Sequence, residues 1–163
     1  MVAQNVAFGI IAAVIVIAAA RVVTTRNIVH AALYLVLVLA GVGAQFILLA
    51  AEFIAITQVL IYVGAIVVLF LFGIMLTRAP LGPSMEVDND QRIVAALVAV
   101  VLAALLGYAL VDGFSDVELP GEQVQRTAEV SDSIFSTYLV PFEIASVLLL
   151  AALIGAIVIA RRD

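Results

Sequence analysis

The candidate functional residues of this sequence are a few polar side chains that lie inside long apolar segments. Gln58 and Tyr62 are four residues apart in the uncharged stretch QVLIYVGAIVVLFLFGIML, so they share one helical face as a small polar patch. Gly64 follows among β-branched residues, and glycine weakens a helix by about 1 kcal/mol relative to alanine. This neighbourhood could hold a π-bulge, an extra residue in one helical turn that occurs mostly at functional sites. Periodicity alone favours simple helix packing at the glycine.

Two carboxylates and one histidine also lie in or beside the apolar runs. Glu52 is the single charge between residues 27 and 77; its simplest interpretation is an interfacial cap on a helix, and the alternative is that it orders water at the mouth of an internal path. Glu143 follows Pro141 by two residues, which suits the positive end of a helix dipole. Its alternative role is a titrating group in a buried proton path. His30 is interpreted as an interfacial residue.

The sequence does not contain the residues that disulfides, metal sites, phosphate-binding loops or nucleophilic catalysis require. There is no cysteine, so this chain can form no disulfide and hold no thiolate metal or iron–sulfur site. The acidic run EVDND has neither the glycine nor the distant glutamate of a calcium loop. No phosphate-binding glycine loop and no nucleophile beside a base is present. We therefore expect no catalytic residue, metal or cofactor in this chain, and no nucleic acid partner.

The composition decides what must position these residues. Apolar residues make up 66% of the 163 and the mean hydropathy is +1.32, whereas soluble domains have roughly 45–50% apolar residues. An integral membrane protein is indicated, and its spans should be helices because backbone groups in lipid must be paired internally. The segment 1–5 lacks the positive charge of a signal peptide, so the first apolar run is expected to stay as a span.

Charges and prolines divide the chain into five spans. Residues 27–77 number 51, and a straight helix of that length would measure about 76 Å against a hydrocarbon core of about 30 Å. A break at Gly41 or Gly43 would leave an arm too short to cross, so the chain should turn near Glu52, and the two glycines are interpreted as close-packing points. We predict one all-α membrane domain over residues 1–163, with transmembrane helices at 3–20, 28–50, 53–77, 93–111 and 139–160.

The arginines predict the orientation. Six of the seven lie between the first and second spans, between the third and fourth, or at the C-terminus, and only Arg126 lies on the other side. Short cytoplasmic loops collect positive charge. The N-terminus is therefore predicted outside and the C-terminus in the cytoplasm. The acidic loop 112–138 is then external and has room for a short surface helix.

The third span also resembles a known family. EFIAITQVLIYVGAIVVLFLFGIML is similar to the third transmembrane helix of the J subunit of NADH-quinone oxidoreductase, respiratory complex I, the counterpart of mitochondrial NADH dehydrogenase subunit 6. RVVTTRNIVHAALYLVLVLAGVG resembles that family's first loop and second helix, and PFEIASVLLLAALIGAIVIARR its fifth. The resemblance covers residues 20–78 and 139–162.

The resemblance implies a function and a set of partners. In that family the third helix has a π-bulge, and Tyr62 and Gly64 fall on its characteristic tyrosine and glycine; the position of Gln58 often holds glutamate or glutamine. The family's subunit carries no flavin, iron–sulfur cluster or quinone of its own, whereas the whole complex uses NADH, FMN, iron–sulfur clusters and quinone. The expected partners are the quinone-site subunit, neighbouring small membrane subunits and the lipid of a bacterial cytoplasmic (inner) membrane.

A switching mechanism follows from helix geometry. Removing one inserted residue rotates the helix beyond it by about 100°, while Gln58 and Tyr62 stay in place. An apolar residue such as Val67 or Leu69 would then swing into or out of a water-filled seam and make or break a proton path. The hypothesis is a non-catalytic subunit that couples quinone reduction to proton pumping. The alternatives are an inert scaffold in the same complex and an independent transporter, the latter disfavoured because the spans show no repeated halves.

Overall fold

The computed structural model describes residues 2–76, 91–115, 117 and 126–161, and its regular elements in those ranges are all helices. Five of them are long and apolar enough to cross a membrane, which confirms the predicted all-α fold with five spans. The sixth is a short helix in the acidic loop. In chain order they are α1 (Val2–Thr24), α2 (Ile28–Leu48), α3 (Glu52–Leu76), α4 (Arg92–Phe114), α5 (Thr127–Phe135) and α6 (Leu139–Ala160).

Some helix ends differ from the charge-based boundaries. Helix α1 continues past Arg21 to Thr24, since a long basic side chain can reach beyond the apolar layer while its backbone stays helical. The Arg21 guanidinium lies 5.7 Å from the ring centre of Tyr34 in α2, within cation–π range. Helix α4 likewise extends past the predicted residue 111 to Phe114. The run EVDND and the arginines at 78 and 162 lie outside the described residues, and the orientation remains a prediction.

The chain reverses between α2 and α3 through a three-residue turn. Ala50 has a φ of 55°, in the left-handed region that glycine normally occupies. Its N–H donates to the Ile47 carbonyl at 3.0 Å, and the N–H of Ala51 donates to the Phe46 carbonyl at 2.9 Å. These two bonds form a Schellman motif, which satisfies the last carbonyls of a helix. The turn closes just before Glu52, the first residue of α3.

Helix α2 is the centre of a three-helix bundle, with α1 and α3 packed against it. Two glutamine amides join α1 to α2 in an antiparallel pair. Gln4 Nε2 donates to the Leu48 carbonyl at 2.9 Å, and Gln45 Nε2 donates to the Phe8 carbonyl at 3.2 Å. These two bonds pair the start of α1 with the end of α2.

Two glycines let α2 approach both neighbours. A Cβ built on Gly41 would lie 2.5 Å from Cγ1 of Ile15 in α1, and a Cβ on Gly43 would lie 3.4 Å from Cγ2 of Val59 in α3. Residues two apart on an α-helix point about 200° away from each other, so each glycine serves one neighbour. The interpretation of both residues as close-packing points is confirmed.

The last two spans are placed differently from the bundle. Among the described residues, α4 packs against no other helix, and α6 packs only against the short helix α5, which also touches the first residues of α3. Phe135 of α5 and Phe142 of α6 meet edge to face with ring centres 5.3 Å apart. The chain by itself therefore fixes the positions of α1, α2 and α3 far more firmly than that of α4.

Candidate functional site in the third transmembrane helix

The middle of α3 is a π-helical segment, not an α-helix. It covers Gln58–Ile66, between α-helical stretches Glu52–Thr57 and Val67–Leu76. The N–H of Val67 donates to the carbonyl of Tyr62, five residues back, where an α-helix would use the carbonyl four residues back. We call Gln58–Ile66 the π segment. The bulge that the resemblance implied is thus present, and it begins at Gln58 and contains both Tyr62 and Gly64.

The nearest atom to a Cβ built on Gly64 belongs to the π segment itself. A Cβ built on Gly64 would meet the carbonyl oxygen of Val59 at 3.3 Å and nothing from another described helix within 4 Å. Val59 is five residues back, so the crowding comes from the i−5 spacing of the π turn. The described helices give no support to the packing interpretation at this glycine, and its place in the π segment agrees with the resemblance.

Gln58 and Tyr62 lie in different environments despite their helical spacing. Gln58 is only 8% exposed, and its Nε2 lies 3.4 Å from the Leu39 carbonyl of α2. Tyr62 is 46% exposed as a whole residue, so part of it faces away from the described helices. The predicted polar patch is therefore divided, with the amide turned into the bundle and Tyr62 partly outside it.

The two apolar gating candidates beyond the π segment differ in exposure. Val67 is 2% exposed and is one of the few buried residues of α3, whereas Leu69 is 73% exposed. Ile66, just before Val67, is half exposed. In this π register Val67 fills the space between α3 and the bundle, and Leu69 faces outward.

Glu52 lies at the edge of an apolar groove. It is exposed and belongs to the first turn of α3, where the helix dipole favours a negative charge. The groove has a volume of about 440 Å³ and is otherwise lined by Ile47, Ala55, Ile56, Val59 and Leu60. Among the described residues that line the groove, Glu52 alone is polar.

Glu143 and His30 occupy helix ends. Glu143 is the fifth residue of α6, just past the first turn, and is exposed. The backbone N–H of His30 donates to the Asn27 side chain at 3.3 Å, and Asn27 caps α2 with a shorter bond of 2.9 Å from the N–H of Val29. Glu143 therefore lies away from the π segment, and His30 lies at the opposite end of α2 from the turn into α3.

Sequence reasoning missed the group on α2 that faces the π segment. The Leu39 carbonyl is a backbone atom and leaves no mark in the sequence.

Two glutamines that join α1 to α2, Gln4 and Gln45, were visible in the sequence as amides inside apolar spans. The Oε1 atom of Gln45 is buried without a hydrogen-bond partner, so its carbonyl side remains free to accept.

Comparison with known proteins decides the family. The family model for NADH-ubiquinone/plastoquinone oxidoreductase chain 6 matches residues 18–159, which include α2, α3 and the π segment. The chain belongs to this family. Membership agrees with the resemblance found in the third span, and it extends that resemblance through α4 and the acidic loop.

Relatives named for different electron donors match nearly the whole chain. It is 41% identical to NAD(P)H-quinone oxidoreductase chain 6 of Synechocystis sp., over 98% of this chain and 82% of that protein. It is 35% identical to F(420)H(2) dehydrogenase subunit J of Methanosarcina mazei, over 98% and 92%. It is 34% identical to NADH-quinone oxidoreductase subunit J of Rhodobacter capsulatus, over 96% and 81%. The same five-helix subunit thus resembles proteins named for three kinds of donor.

Proposed function

We propose that this chain is a core membrane-arm subunit of a proton-translocating NADH:quinone oxidoreductase, and that α3 couples quinone reduction to proton movement by switching between π and α registers. Family membership supports its place in a complex I type assembly. The observation that carries the switch is the π segment, with the bond from the Val67 N–H to the Tyr62 carbonyl at its end. A π turn is less favourable than an α turn, so it persists where it has a use.

The switch exchanges one buried residue for its neighbour. When the extra residue of the π segment is absorbed, the helix beyond it turns by about 100°. With the start of α3 held still, the position now filled by Val67 is then taken by Ile66, and Val67 turns outward. Val68 similarly takes the present position of Leu69. The buried contact is kept, but the side chain that makes it changes.

The sequence makes the two registers close in free energy. Residues 66–72 read IVVLFLF, so a shift by one residue replaces each apolar side chain by another apolar side chain. The main difference at the buried contact is one methylene between Val67 and Ile66, and an exchange of isoleucine and valine in a core typically changes stability by about 0.5–1.5 kcal/mol. Two states separated by a few kcal/mol are both populated and respond to a partner's differential binding.

The other candidate residues have proposed roles in the same proton path. The Tyr62 hydroxyl, in the π segment, is one end of a proton path that this chain shares with neighbouring subunits, and Val67 or Leu69 opens or blocks that path as α3 turns. Glu52 and Glu143 are candidates at the membrane surface side of the same path. Oxidation of NADH through FMN and iron–sulfur clusters, and reduction of quinone, are assigned to other subunits; this chain does no redox chemistry.

The setting of the chain follows from the same proposal. Its partners are the quinone-site subunit and the neighbouring small membrane subunits, in a bacterial cytoplasmic membrane. The relatives named for NAD(P)H, F(420)H(2) and NADH support a role separate from donor oxidation, because a similar membrane subunit occurs with each donor name.

Substitution of Gly64 by valine tests the proposal. A side chain at Gly64 presses on the Val59 carbonyl, so Gly64→Val should favour the α register. Assembly, quinone reduction and pumped protons per quinone are measured separately, with Gly73→Val as the matched control in the same helix, where a Cβ meets nothing within 4 Å. We expect the first variant to assemble and to lose pumping. Unchanged turnover and pumping in an assembled Gly64→Val complex would leave the scaffold function as the better account.

A further inference from the structure

Gln58 ties the first residue of the π segment to α2. Among the described residues it is the one polar side chain that is buried, at 8% exposure. Its Nε2 donates a long hydrogen bond to the Leu39 carbonyl at 3.4 Å. Because Gln58 is buried, its amide has little contact with solvent. Ala55, one turn earlier, is 3% exposed and packs on the same side of α3. The start of α3 is therefore fixed to α2 by both packing and a directional contact.

Gly43 lies beside this contact. In the α-helical ladder of α2 the Leu39 carbonyl already accepts from the N–H of Gly43, so a second donor must approach beside residue 43. A Cβ at Gly43 would lie 3.4 Å from Val59 Cγ2 and 3.6 Å from Gln58 Cγ. A single methyl group would make ordinary van der Waals contact there, whereas a branched side chain would extend into the position of the Gln58 stem.

The contacts before and after the π segment respond differently to a change of register. After it, Ile66 can replace Val67 because both are β-branched and apolar. Before it, a shift by one residue would present Thr57 or Val59 to the Leu39 carbonyl. Val59 has no donor, and the Thr57 hydroxyl already donates to the Phe53 carbonyl at 2.8 Å. A register change is therefore tolerated on one side of the π segment and opposed on the other.

We propose that Gln58 is a positioning residue, seated on Gly43, that holds the N-terminal part of α3 still so that the rotation is confined to residues beyond the π segment. This inference rests on the proposed register switch and adds the direction in which it travels. Gln58 takes no proton in this account. With Gln58 in place, the full rotation of about 100° occurs at Val67 and beyond. Without Gln58, the rotation would be shared between the two ends of α3.

The test is electron cryomicroscopy of the whole complex, resting and during turnover, with the proton-to-quinone ratio measured on the same preparations. Gln58→Leu removes the donor at similar volume. Gly43→Val keeps Gln58 but fills its seat. The matched control is Gln45→Leu, which removes another glutamine amide bonded to a backbone carbonyl, the one between α1 and α2. The position of Ala55 relative to α2 reports rotation of the N-terminal part of α3.

In the unmodified complex and in Gln45→Leu, we expect Ala55 to stay on α2 in both registers while the helix beyond residue 66 turns by about 100°. In Gln58→Leu and Gly43→Val, Ala55 should leave α2 in the α register, and the proton-to-quinone ratio should fall. An α register in which Ala55 stays on α2 in both variants overturns this inference and leaves the switch standing. A complex that keeps the π register in every state overturns the proposed function, and this inference with it.

Discussion

Alanine substitutions at two adjacent residues should shift the register of α3 in opposite directions. Val67 is buried in the π register and Ile66 is half exposed, and the switch exchanges them at one contact. Val67→Ala therefore leaves a cavity only in the π register, whereas Ile66→Ala leaves one only in the α register. Alanine's helix preference acts in both registers, so it cancels in the comparison.

The size of each shift follows from the cavity. Between helices in lipid the transfer term is small, because lipid is as apolar as the interface, and the cavity term of about 24 cal/mol per Å³ remains. Val67→Ala removes roughly 50 Å³ and so costs the π register about 1.2 kcal/mol. Ile66→Ala removes roughly 75 Å³ and costs the α register about 1.8 kcal/mol. At 1.36 kcal/mol per factor of ten, the π-to-α ratio should fall about 8-fold in the first variant and rise about 20-fold in the second.

The assay counts particles in each register in cryomicroscopy data on the assembled complex under one fixed condition. Leu69→Ala is the control, because Leu69 is 73% exposed in this register and its truncation leaves no cavity inside the chain. Opposite shifts for Val67→Ala and Ile66→Ala support the exchange of the two residues at one contact. Shifts in the same direction, or a response at Leu69 as large as at Val67, would refute it.

Three further predictions concern the bundle and its orientation. Gly41→Ala should weaken the pairing of α1 and α2 by about 1–3 kcal/mol, since its Cβ would lie 2.5 Å from Ile15, and the melting temperature of the complex should fall. Gly9→Ala gains the same helix preference and meets nothing within 4 Å, so it should not lower the melting temperature. Ala50→Gly should raise the melting temperature, because glycine removes a left-handed cost of about 1–2 kcal/mol at a φ of 55°; a lower value would contradict the Schellman turn. Ser115→Cys, in a chain without cysteine, should react with an impermeant maleimide added outside intact cells, and reaction only after permeabilisation would reverse the predicted orientation.

Charge and hydropathy were enough to find the spans, because lipid tolerates few charges and sets a minimum helix length. They also located the reversal near Glu52. They did not show that Ala50 would take the left-handed position, since an alanine there carries none of the preference that marks glycine in such a turn. Nor did they place the end of α1, where Arg21 remains helical and its charge lies over Tyr34.

The candidate site was less accessible to sequence reasoning. Local helix preference around Gly64 fits both a π turn and simple packing, and only the family resemblance separated the two. Spacing placed Gln58 and Tyr62 on one face, but exposure depends on the neighbouring helix. The approach of α2 at Gly43 buries the amide and leaves Tyr62 half exposed. Contacts to a backbone carbonyl such as that of Leu39 have no sequence signature at all.

The placement of α4 and α6 bears on how the cell makes this protein. Within the described residues, only α1, α2 and α3 secure one another, whereas α4 touches no other helix and α6 only α5. The first half of the chain can thus reach its final arrangement while the ribosome is still synthesising the second half. The later spans can insert into lipid, and we expect neighbouring subunits to fix their positions. An orphan copy keeps an unanchored helix that membrane proteases can recognise, so the steady-state amount of this subunit should follow the supply of its partners.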